Sequence, residues 1–334
     1  MKYNYIFIFE DIAYKKIQYN DLTDSPNAQF IPLKINLWKK EDRNLTGLLC
    51  HIHLSPRINR IISIPFKNIW INRVFNFKLK DNLDKSVPCC FIIYALCYEK
   101  YENFLIKYLR NNYKECKIIL FYVDLFANSR FKFKKAKHLF DAIFSFEKND
   151  ADKHGFIYYD NPYSAIDITS TLPKSDVFFI GKNKNRLKTI LAIYELLTKN
   201  GIICDFIITD VDKKEQILKE NIYYTDFMDY KDVINHVLST KCILEILQDK
   251  AANPTLRSLE AVCYNKKLLT NCDDIVNKEY YNSEYISIFN DIENIDINFL
   301  KNEIKTIDYN YRQKVSPLEM IKHIDENINT YFNN

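Results

Sequence analysis

Residues 241–271 constrain the fold of this chain more than any other stretch. An apolar run, Cys242–Ile246, is followed by a polar loop, a helical pattern and a second apolar run, Lys267–Thr270. Asn253 and Pro254 predict the start of the helix, because asparagine is a favoured N-cap residue and proline is favoured at the first helical position. Two short apolar runs joined by a helix predict a parallel pair of strands with a right-handed crossover.

The same alternation recurs on both sides of a polar segment, Asp167–Ser175, which we interpret as a linker. The predicted strands are Tyr3–Phe9, Leu48–His53, Cys89–Tyr94, Lys117–Val123, Ala142–Phe146, Asp176–Ile180, Ile203–Thr209, Ile222–Tyr224 and Tyr285–Ile288. The predicted helices include Glu99–Asn111, Asn185–Lys199, Lys231–Ser239, Ile297–Ile304 and Pro317–Tyr331. The 334 residues suit two domains of about 150 residues each, so we predict an α/β fold with two Rossmann-like domains.

Charge is distributed unevenly along the chain. Residues 1–172 contain 26 Lys and Arg against 18 Asp and Glu, whereas residues 173–334 contain 21 against 25. The densest basic run, RFKFKKAK at 130–137, is most simply a solvated helix face. The alternatives are a contact with anionic lipid headgroups or with a pyrophosphate-linked substrate. No recognised nucleic-acid-binding motif accompanies the charge, so nucleic acid is not a predicted partner.

The composition predicts a globular protein without a membrane span. The hydrophobic fraction is 47% and the charged fraction 27%, and no segment approaches the ~20 apolar residues that a bilayer requires. The N-terminal apolar run is too short for a secretion signal, so we predict a cytoplasmic location. The nine cysteines include no C-x-x-C pair, which favours buried reduced thiols over disulfides or a zinc site.

The helix within residues 241–271 carries polar side chains in its first turns. A helix N-terminus at the carboxyl edge of a parallel sheet binds anions, so Thr255 and Arg257 are predicted to contact a diphosphate. Glu260, one turn deeper, is predicted to accept hydrogen bonds from the ribose of the same ligand. The alternatives are a first-turn backbone hydrogen bond for Thr255 and a surface ion pair between Glu260 and Arg257.

A second polar cluster follows the predicted strand Asp176–Ile180. Gly181 would let a ligand approach the backbone, and Lys182, Lys184 and Arg186 would neutralise a leaving nucleoside diphosphate. The alternative is a group of basic residues that opens an exposed helix. Basic side chains are unfavourable at a helix N-terminus because of the helix dipole, and this misfit supports the functional interpretation.

Three segments carry a resemblance to a known family. They are DVFFIGKNKNR at 176–186, PTLRSLEA at 254–261 with the following KKLLTN at 266–271, and FDAIFSFEKNDADKHGF at 140–156. These segments resemble bacterial glycosyltransferases of polysaccharide and lipopolysaccharide assembly, which have the GT-B fold. The resemblance implies two Rossmann-like domains that face each other across a cleft. It implies an acceptor-binding domain over 1–172, a nucleotide-sugar-binding domain over 173–315, and a C-terminal helix at 316–334 that packs back on the first domain.

The resemblance also implies the activity. It predicts a metal-independent, hexosyltransferase-type enzyme that moves a sugar from a nucleotide sugar to a glycan or lipid-linked acceptor in surface polysaccharide assembly. The nucleotide sugar is then a co-substrate, no cofactor is needed, and a peripheral contact with the anionic inner membrane face is implied. The donor-binding residues that it implies are Gly181, Lys182, Arg186, Thr255, Arg257 and Glu260. The chain departs from the family at Ala252-Asn253-Pro254, where relatives carry glycine, and it lacks the Glu-x7-Glu pair of retaining enzymes.

Transfer with inversion requires a general base that deprotonates the acceptor hydroxyl. The resemblance places this base in the first domain, at the carboxyl end of a strand. Glu10 and Asp11 follow the first predicted strand, and Asp124 follows Lys117–Val123. We predict Asp11 and Asp124 as the catalytic candidates. His51 and His53 alternate on a predicted strand and would face the same side, although a hydrogen-bonded structural histidine is the commoner explanation.

Two other functions remain open from the sequence. One is a non-catalytic protein that binds nucleotide sugars or polyanions on the same fold, because a fold does not determine a function. The other is a basic protein associated with nucleic acid, which steep salt dependence of polynucleotide binding would reveal. The sequence leaves open the sugar, the nucleotide, the acceptor, the stereochemical outcome and the oligomeric state.

Overall fold

The computed structural model describes residues 2–34, 45–62, 64–70, 74–75, 77–124, 126, 137–247 and 253–332. Most of the predicted basic run at 130–137 and most of the loop before Asn253 lie outside these residues. The chain divides into two compact units. The first unit comprises Met1–Ser164 and Val315–Asn334, and the second unit comprises Ala165–Lys314.

The first unit contains a parallel sheet of six described strands in the order β2-β1-β3-β4-β5-β6. The strands are β1 (Asn4–Glu10), β2 (Ala28–Leu33), β3 (Cys89–Tyr94), β4 (Lys117–Tyr122), β5 (Ala142–Ser145) and β6 (Ile157–Tyr158). The helices between them are α1 (Ala13–Gln18), α2 (Leu45–His53), α3 (Pro56–Ile61), α4 (Ala95–Tyr101), α5 (Asn103–Asn112) and α6 (Lys148–His154). Register is parallel throughout, with Phe7 of β1 opposite Phe30 of β2 and Ile92 of β3.

The second unit contains another parallel sheet of six described strands, in the order β12-β11-β10-β7-β8-β9. The strands are β7 (Ser175–Lys182), β8 (Cys204–Thr209), β9 (Ile222–Thr225), β10 (Thr240–Glu245), β11 (Lys267–Thr270) and β12 (Ile286–Ile288). The helices are α7 (Leu187–Lys199), α8 (Tyr230–Ser239), α9 (Leu256–Cys263) and α10 (Ile297–Lys301). A 3₁₀ turn, Lys213–Glu215, connects β8 to β9 where a full helix would be usual.

The last segment of the chain, Val315–Asn334, belongs to the first unit and contains α11 (Pro317–Glu326) and α12 (Ile328–Phe332). Met320, Ile321 and Ile324 of α11 are fully buried in the core that covers one face of β1. Because all seven residues of β1 are buried, this strand needs apolar layers on both faces, and α11 supplies part of one of them.

These observations confirm the predicted α/β fold with two doubly wound parallel sheets. The predicted strands Cys89–Tyr94 and Lys267–Thr270 have the bounds that the structure shows. Strand β2 was missed because its sequence, AQFIPL, contains a proline and a glutamine. Proline is tolerated there because β2 lies at the edge of its sheet.

The prediction of a strand at Leu48–His53 is wrong, because these residues belong to α2. A short apolar run cannot by itself distinguish a buried strand from a buried helix, and here the helix forms. His51 and His53 are two residues apart on a helix and therefore do not face the same side. The histidine pair that we predicted is not formed.

The start of α9 lies two residues later than predicted. Its N-cap is Thr255, whose hydroxyl accepts a hydrogen bond from the Arg257 backbone N–H, and the helix begins at Leu256. Asn253 and Pro254 precede the cap. Among the described residues, no helix has both the length and the apolar character that crossing a membrane requires.

Candidate functional site

The middle of the second sheet is its topological switch point. From β7 the chain continues to β8 and β9 on one side, and from β10 it continues to β11 and β12 on the other. Ligands of doubly wound folds bind outside the carboxyl ends of the strands at such a point. Gly181 and Lys182 end β7 here, and Glu245 ends β10.

Glu245 organises the carboxyl end of β10. Its side chain accepts hydrogen bonds from the Thr255 N–H at 2.7 Å, from the Thr255 hydroxyl at 2.6 Å and from the Thr270 hydroxyl at 2.7 Å. Burial raises the pKa of the Glu245 carboxyl, and the hydrogen bonds from Thr255 and Thr270 oppose that rise. The carboxylate therefore fixes the N-terminus of α9 against β10 and β11.

Glu260 lies one turn into α9 and is completely buried. One carboxylate oxygen accepts a hydrogen bond from the Tyr230 hydroxyl at 2.6 Å, and the other lies 2.6 Å from the Arg257 guanidinium. Burial raises the pKa of Glu260, and the nearby Arg257 charge opposes this effect. The ion pair with Arg257 was one of the sequence alternatives, but it is buried rather than exposed.

Arg186 connects the two central strands of the second sheet. Its guanidinium donates hydrogen bonds to the carbonyl of Ile246, just after β10, and to that of Lys182 at 3.2 Å. A Cβ on Gly181 would lie 2.9 Å from this guanidinium and 3.0 Å from the Phe179 ring. Gly181 therefore makes room for Arg186, whereas we predicted that it makes room for a ligand.

The remaining donor-site candidates lie at the same edge. Lys182 and Lys184 are exposed, and Lys184 has a positive φ of 41°. Burial lowers the pKa of Arg186, and the Glu245 carboxylate opposes that change. Two guanidinium groups, those of Arg186 and Arg257, thus act on the buried Glu245 carboxylate, and such groups can bind an anionic ligand and position it.

The switch point of the first sheet lies between β1 and β3 and has a different composition. Glu10, the last residue of β1, forms an ion pair of 2.9 Å with Lys15 of α1, and both side chains are at most 7% exposed. The Lys15 ammonium also lies 4.2 Å from the ring centroid of Tyr94, the last residue of β3. Burial lowers the pKa of Lys15, and Glu10 opposes this effect.

Several buried polar atoms surround this ion pair. Within the described part of the chain, one carboxylate oxygen of Glu10 and the hydroxyls of Tyr19 and Tyr94 have no hydrogen-bond partner. Burial, with the Glu10 and Asp124 carboxylates, raises the pKa of Tyr14 to about 12. Buried polar atoms are normally satisfied, so this cluster has the character of a binding site rather than of a packed core.

The two predicted catalytic residues differ in their surroundings. Asp124 follows β4, is exposed, and acts electrostatically on Tyr14 and Lys15. Asp11 instead forms an exposed ion pair of 2.7 Å with Lys16. Among the described residues, no group of three or more histidine, cysteine or acidic side chains is placed to hold a metal ion.

The sequence interpretation missed Glu245, Thr270 and Tyr230. The available signal for Glu245 was its position, because a glutamate inside the apolar run CILEIL is costly to bury unless it has partners. Thr270, a partner of Glu245, comes from β11, and Tyr230, the partner of Glu260, comes from the start of α8. No spacing rule along the chain links either residue to its glutamate.

Comparison with known proteins identifies the fold. No model of a protein family matches the sequence, and no curated protein matches it. Solved structures do match, and glycosyltransferases are among them. Sucrose-phosphate synthase from Thermosynechococcus elongatus is similar with a TM-score of 0.52 and 8% identity, over 97% of this chain and 98% of that chain.

A protein from Listeria monocytogenes assigned as a UDP-N-acetylglucosamine 2-epimerase is similar with a TM-score of 0.50 and 9% identity, over 97% of each chain. The Gap123 complex from Streptococcus agalactiae matches with a TM-score of 0.42 and 13% identity, over 74% of this chain. This chain spans about half, 52%, of that protein. The similarities to sucrose-phosphate synthase and to the protein from Listeria monocytogenes show the α/β fold of GT-B type, as predicted.

Proposed function

We propose that this protein is a glycosyltransferase that moves a sugar from a nucleotide-sugar donor to a glycan or lipid-linked acceptor. The observation that carries the proposal is the switch point of the second sheet, where Lys182 ends β7, Arg186 bonds the backbone of both central strands and Arg257 acts on Glu245 at the end of β10. This is the position where doubly wound folds hold anionic ligands. The full-length similarity to sucrose-phosphate synthase supports sugar transfer as the class of reaction.

In this proposal the second unit binds the donor. Lys182, Arg186 and Arg257 face the diphosphate, and Thr255 presents the N-terminus of α9 to it. Glu260 holds Arg257 in place through its buried ion pair. The prediction that Glu260 accepts hydrogen bonds from the donor ribose requires that ribose hydroxyls displace Arg257 or Tyr230 from its carboxylate.

The first unit supplies the base in this proposal. Asp124 removes the proton from the acceptor hydroxyl as the bond between the sugar carbon and the diphosphate breaks. The negative charge that develops on the leaving nucleoside diphosphate is met by the basic side chains of the second unit, without a metal ion or a cofactor. Asp11 is the second candidate, and its carboxylate forms an ion pair with Lys16.

An acceptor anchored in a cytoplasmic membrane face, in surface polysaccharide assembly, fits a surface of the first unit. Residues 45–80 contain six Lys and Arg and no Asp or Glu. The same segment exposes large apolar side chains, namely Leu45, Leu49, Ile61, Ile62, Phe66 and Ile69. On α2, Gly47 and Cys50 are buried, as is Leu54 just after the helix, so α2 has a buried apolar side as well as the exposed one. Basic charge beside exposed apolar side chains suits peripheral contact with an anionic bilayer.

Vesicle sedimentation tests this contact. We expect the protein to pellet with phosphatidylglycerol-containing vesicles and to remain in solution with pure phosphatidylcholine. The double variant Leu45→Ser/Leu49→Ser should reduce pelleting several-fold. The matched control Leu218→Ser, at a residue of the second unit that is 92% exposed, should not. An equal loss of pelleting in the double variant and in the control would reject residues 45–80 as a specific membrane-contacting surface.

The donor proposal is tested by thermal shift with UDP, GDP, CMP and ADP. A nucleotide at about a hundred times its dissociation constant should stabilise the protein by ~2.7 kcal/mol and raise the melting temperature by a few degrees. Lys182→Ala should weaken binding by about tenfold, because it removes an exposed phosphate contact without disturbing packing. Lys188→Ala, an exposed lysine on α7, is the control. Absence of a shift with all four nucleotides would reject the donor site.

A nucleotide-sugar epimerase is the second candidate, favoured by the similarity to the protein from Listeria monocytogenes over 97% of both chains. Analysis of the products separates the two. A transferase releases a free nucleotide only when an acceptor hydroxyl is present, whereas an epimerase converts the sugar without an acceptor. Binding without either reaction would leave the non-catalytic alternative.

A further inference from the structure

The second unit contains a cavity away from the switch point. It measures about 440 Å³, within the range of roughly 300–1,000 Å³ that small-molecule sites occupy. Its lining extends from Ser175 and Cys204, at the amino ends of β7 and β8, to Thr225 at the carboxyl end of β9, and it includes none of the residues proposed to bind the donor. The two sites are therefore separate.

The cavity lies over the two outer strands of the sheet. Ile207 of β8 and Tyr223 of β9 are partners in the parallel register, and both line the cavity. On this face α8 packs against β7 and β10, which leaves β8 and β9 to form a floor beside the helix. Leu172 and Met228 add apolar surface to the walls. Tyr223 is 54% exposed, which is unusual for a parallel sheet whose faces are normally covered.

One wall carries a fixed polar pair. Nδ1 of His236 lies 2.6 Å from Oδ2 of Asp205, and both side chains are less than one-fifth exposed. The His236 ring also stacks on Phe178, with centroids 5.3 Å apart and an angle of 11° between the planes. The stack and the carboxylate together fix the orientation of the imidazole.

This pair supplies hydrogen-bond acceptors to the cavity. In the tautomer whose Nδ1–H donates to the Asp205 carboxylate, Nε2 carries a lone pair and accepts hydrogen bonds. The Asp205 carboxylate is also an acceptor. This wall therefore favours a ligand that donates, while the floor of Ile207 and Tyr223 favours a flat apolar body. The other polar lining residues include Lys174, Asn221 and Thr225.

We infer that this cavity is a second ligand site, for a planar and mostly apolar small molecule of one or two rings that carries an N–H or O–H donor. The site is independent of the donor site, and its test involves no nucleotide. Failure of one proposal therefore leaves the other intact.

Indole and benzofuran are a matched pair of probes, since they share a shape and only indole has an N–H donor. In ligand-observed NMR titrations we expect indole to bind with a dissociation constant on the order of 1 mM, because so small a ligand has limited affinity. Benzofuran should bind at least about fivefold more weakly, the effect of a hydrogen bond of ordinary strength.

Variants localise the binding. Ile207→Trp fills the floor of the cavity and should abolish indole binding, whereas Leu218→Trp, at an exposed residue outside the lining, should not change it. His236→Phe keeps the ring stack but removes the acceptor, and should reduce the preference for indole over benzofuran. If that variant does not fold, as judged by circular dichroism, the probe pair and Ile207→Trp still decide. Absence of indole binding below about 10 mM, equal binding of both probes, or unchanged binding in Ile207→Trp would each overturn the inference.

Discussion

Both units contain a six-stranded parallel sheet among the described strands, but the two sheets differ in strand order and in how they satisfy the buried carboxylate at the switch point. In the first unit, Glu10 is paired with the ammonium of Lys15. In the second unit, Glu245 is held by two hydroxyls and a backbone N–H of Thr255 and Thr270. The Glu10–Lys15 ion pair removes two charges from water, and its attraction must compensate for both desolvation costs. The neutral donors around Glu245 satisfy its carboxylate oxygens without cancelling its negative charge.

This difference indicates a division of labour. In the first unit the Glu10 charge is paired with Lys15, and the buried hydroxyls of Tyr19 and Tyr94 have no hydrogen-bond partner among the described residues, which suits the proposed hydroxyl-bearing acceptor. In the second unit the guanidinium groups of Arg186 and Arg257 act on the buried carboxylates, which suits the proposed anionic donor. A few side chains at the strand ends thus give the two parallel sheets two kinds of site.

The largest expected effect distinguishes chemistry in the first unit from binding in the second. Asp124→Asn should lower kcat by about 10²–10⁴-fold, the range for loss of a general base, with little change in donor affinity. Asp11→Asn, at the second candidate for the base, is the comparison variant, and it should retain activity if Asp124 is the base. Steady-state kinetics of nucleotide release test both. A large loss in Asp11→Asn with none in Asp124→Asn would reverse the assignment.

The second-largest expected effect is a loss of stability when the Glu10–Lys15 ion pair is broken. Glu10→Leu leaves the buried Lys15 ammonium without its partner and should reduce the free energy of unfolding by about 3–5 kcal/mol. The double variant Glu10→Leu/Lys15→Met should recover most of this loss, because it removes both charges. Urea denaturation of the three proteins measures the difference. If the double variant is no more stable than the single one, the ion pair is not the main interaction of Lys15.

The smallest effect is a pH dependence in the second unit. Burial raises the pKa of Glu260, so above the unfolded value of about 4.3 the folded state retains a proton that the unfolded state has released. Stability is therefore fully present below that value and falls as pH rises towards the folded pKa. Glu260→Gln removes this dependence, so the difference in unfolding free energy between the native protein and the variant should shrink from pH 4 to pH 7. A constant difference would show that folding leaves the pKa of Glu260 unchanged.

The fold could be predicted largely from local pattern. The run CCFIIY is apolar throughout because parallel strands buried on both faces lack alternation, and such a run is recognisable. Strand β2 was not recognisable because it contains Pro32. Proline is tolerated at the edge of a sheet, but the sequence does not show which strand lies at the edge. Helix α2 was mistaken for a strand because its nine residues include no charged side chain that marks a helical face.

The candidate site was predictable only in part. Thr255, Arg257 and Glu260 lie within one helix, so their proximity followed from helical spacing. The partners of Glu260 and Glu245 could not be predicted in the same way, because Tyr230 and Thr270 come from other elements and meet them only in the folded sheet. The Arg186 side chain occupies the space beside Gly181. This contact could not be predicted either, because it depends on the direction of the side chain and not on spacing along the chain.

The return of residues 315–334 to the first unit has a consequence for the order of folding during synthesis. Met320, Ile321 and Ile324 lie in the core beside β1, and Ser316 hydrogen-bonds Asp21 across nearly the whole chain. The ribosome therefore makes all of the continuous second unit before it makes the segment that completes the first. Contacts between distant parts of a chain form slowly, so one apolar face of strand β1 stays incompletely covered until residues 315–334 are synthesised. Exposed apolar surface of this kind is what chaperones bind.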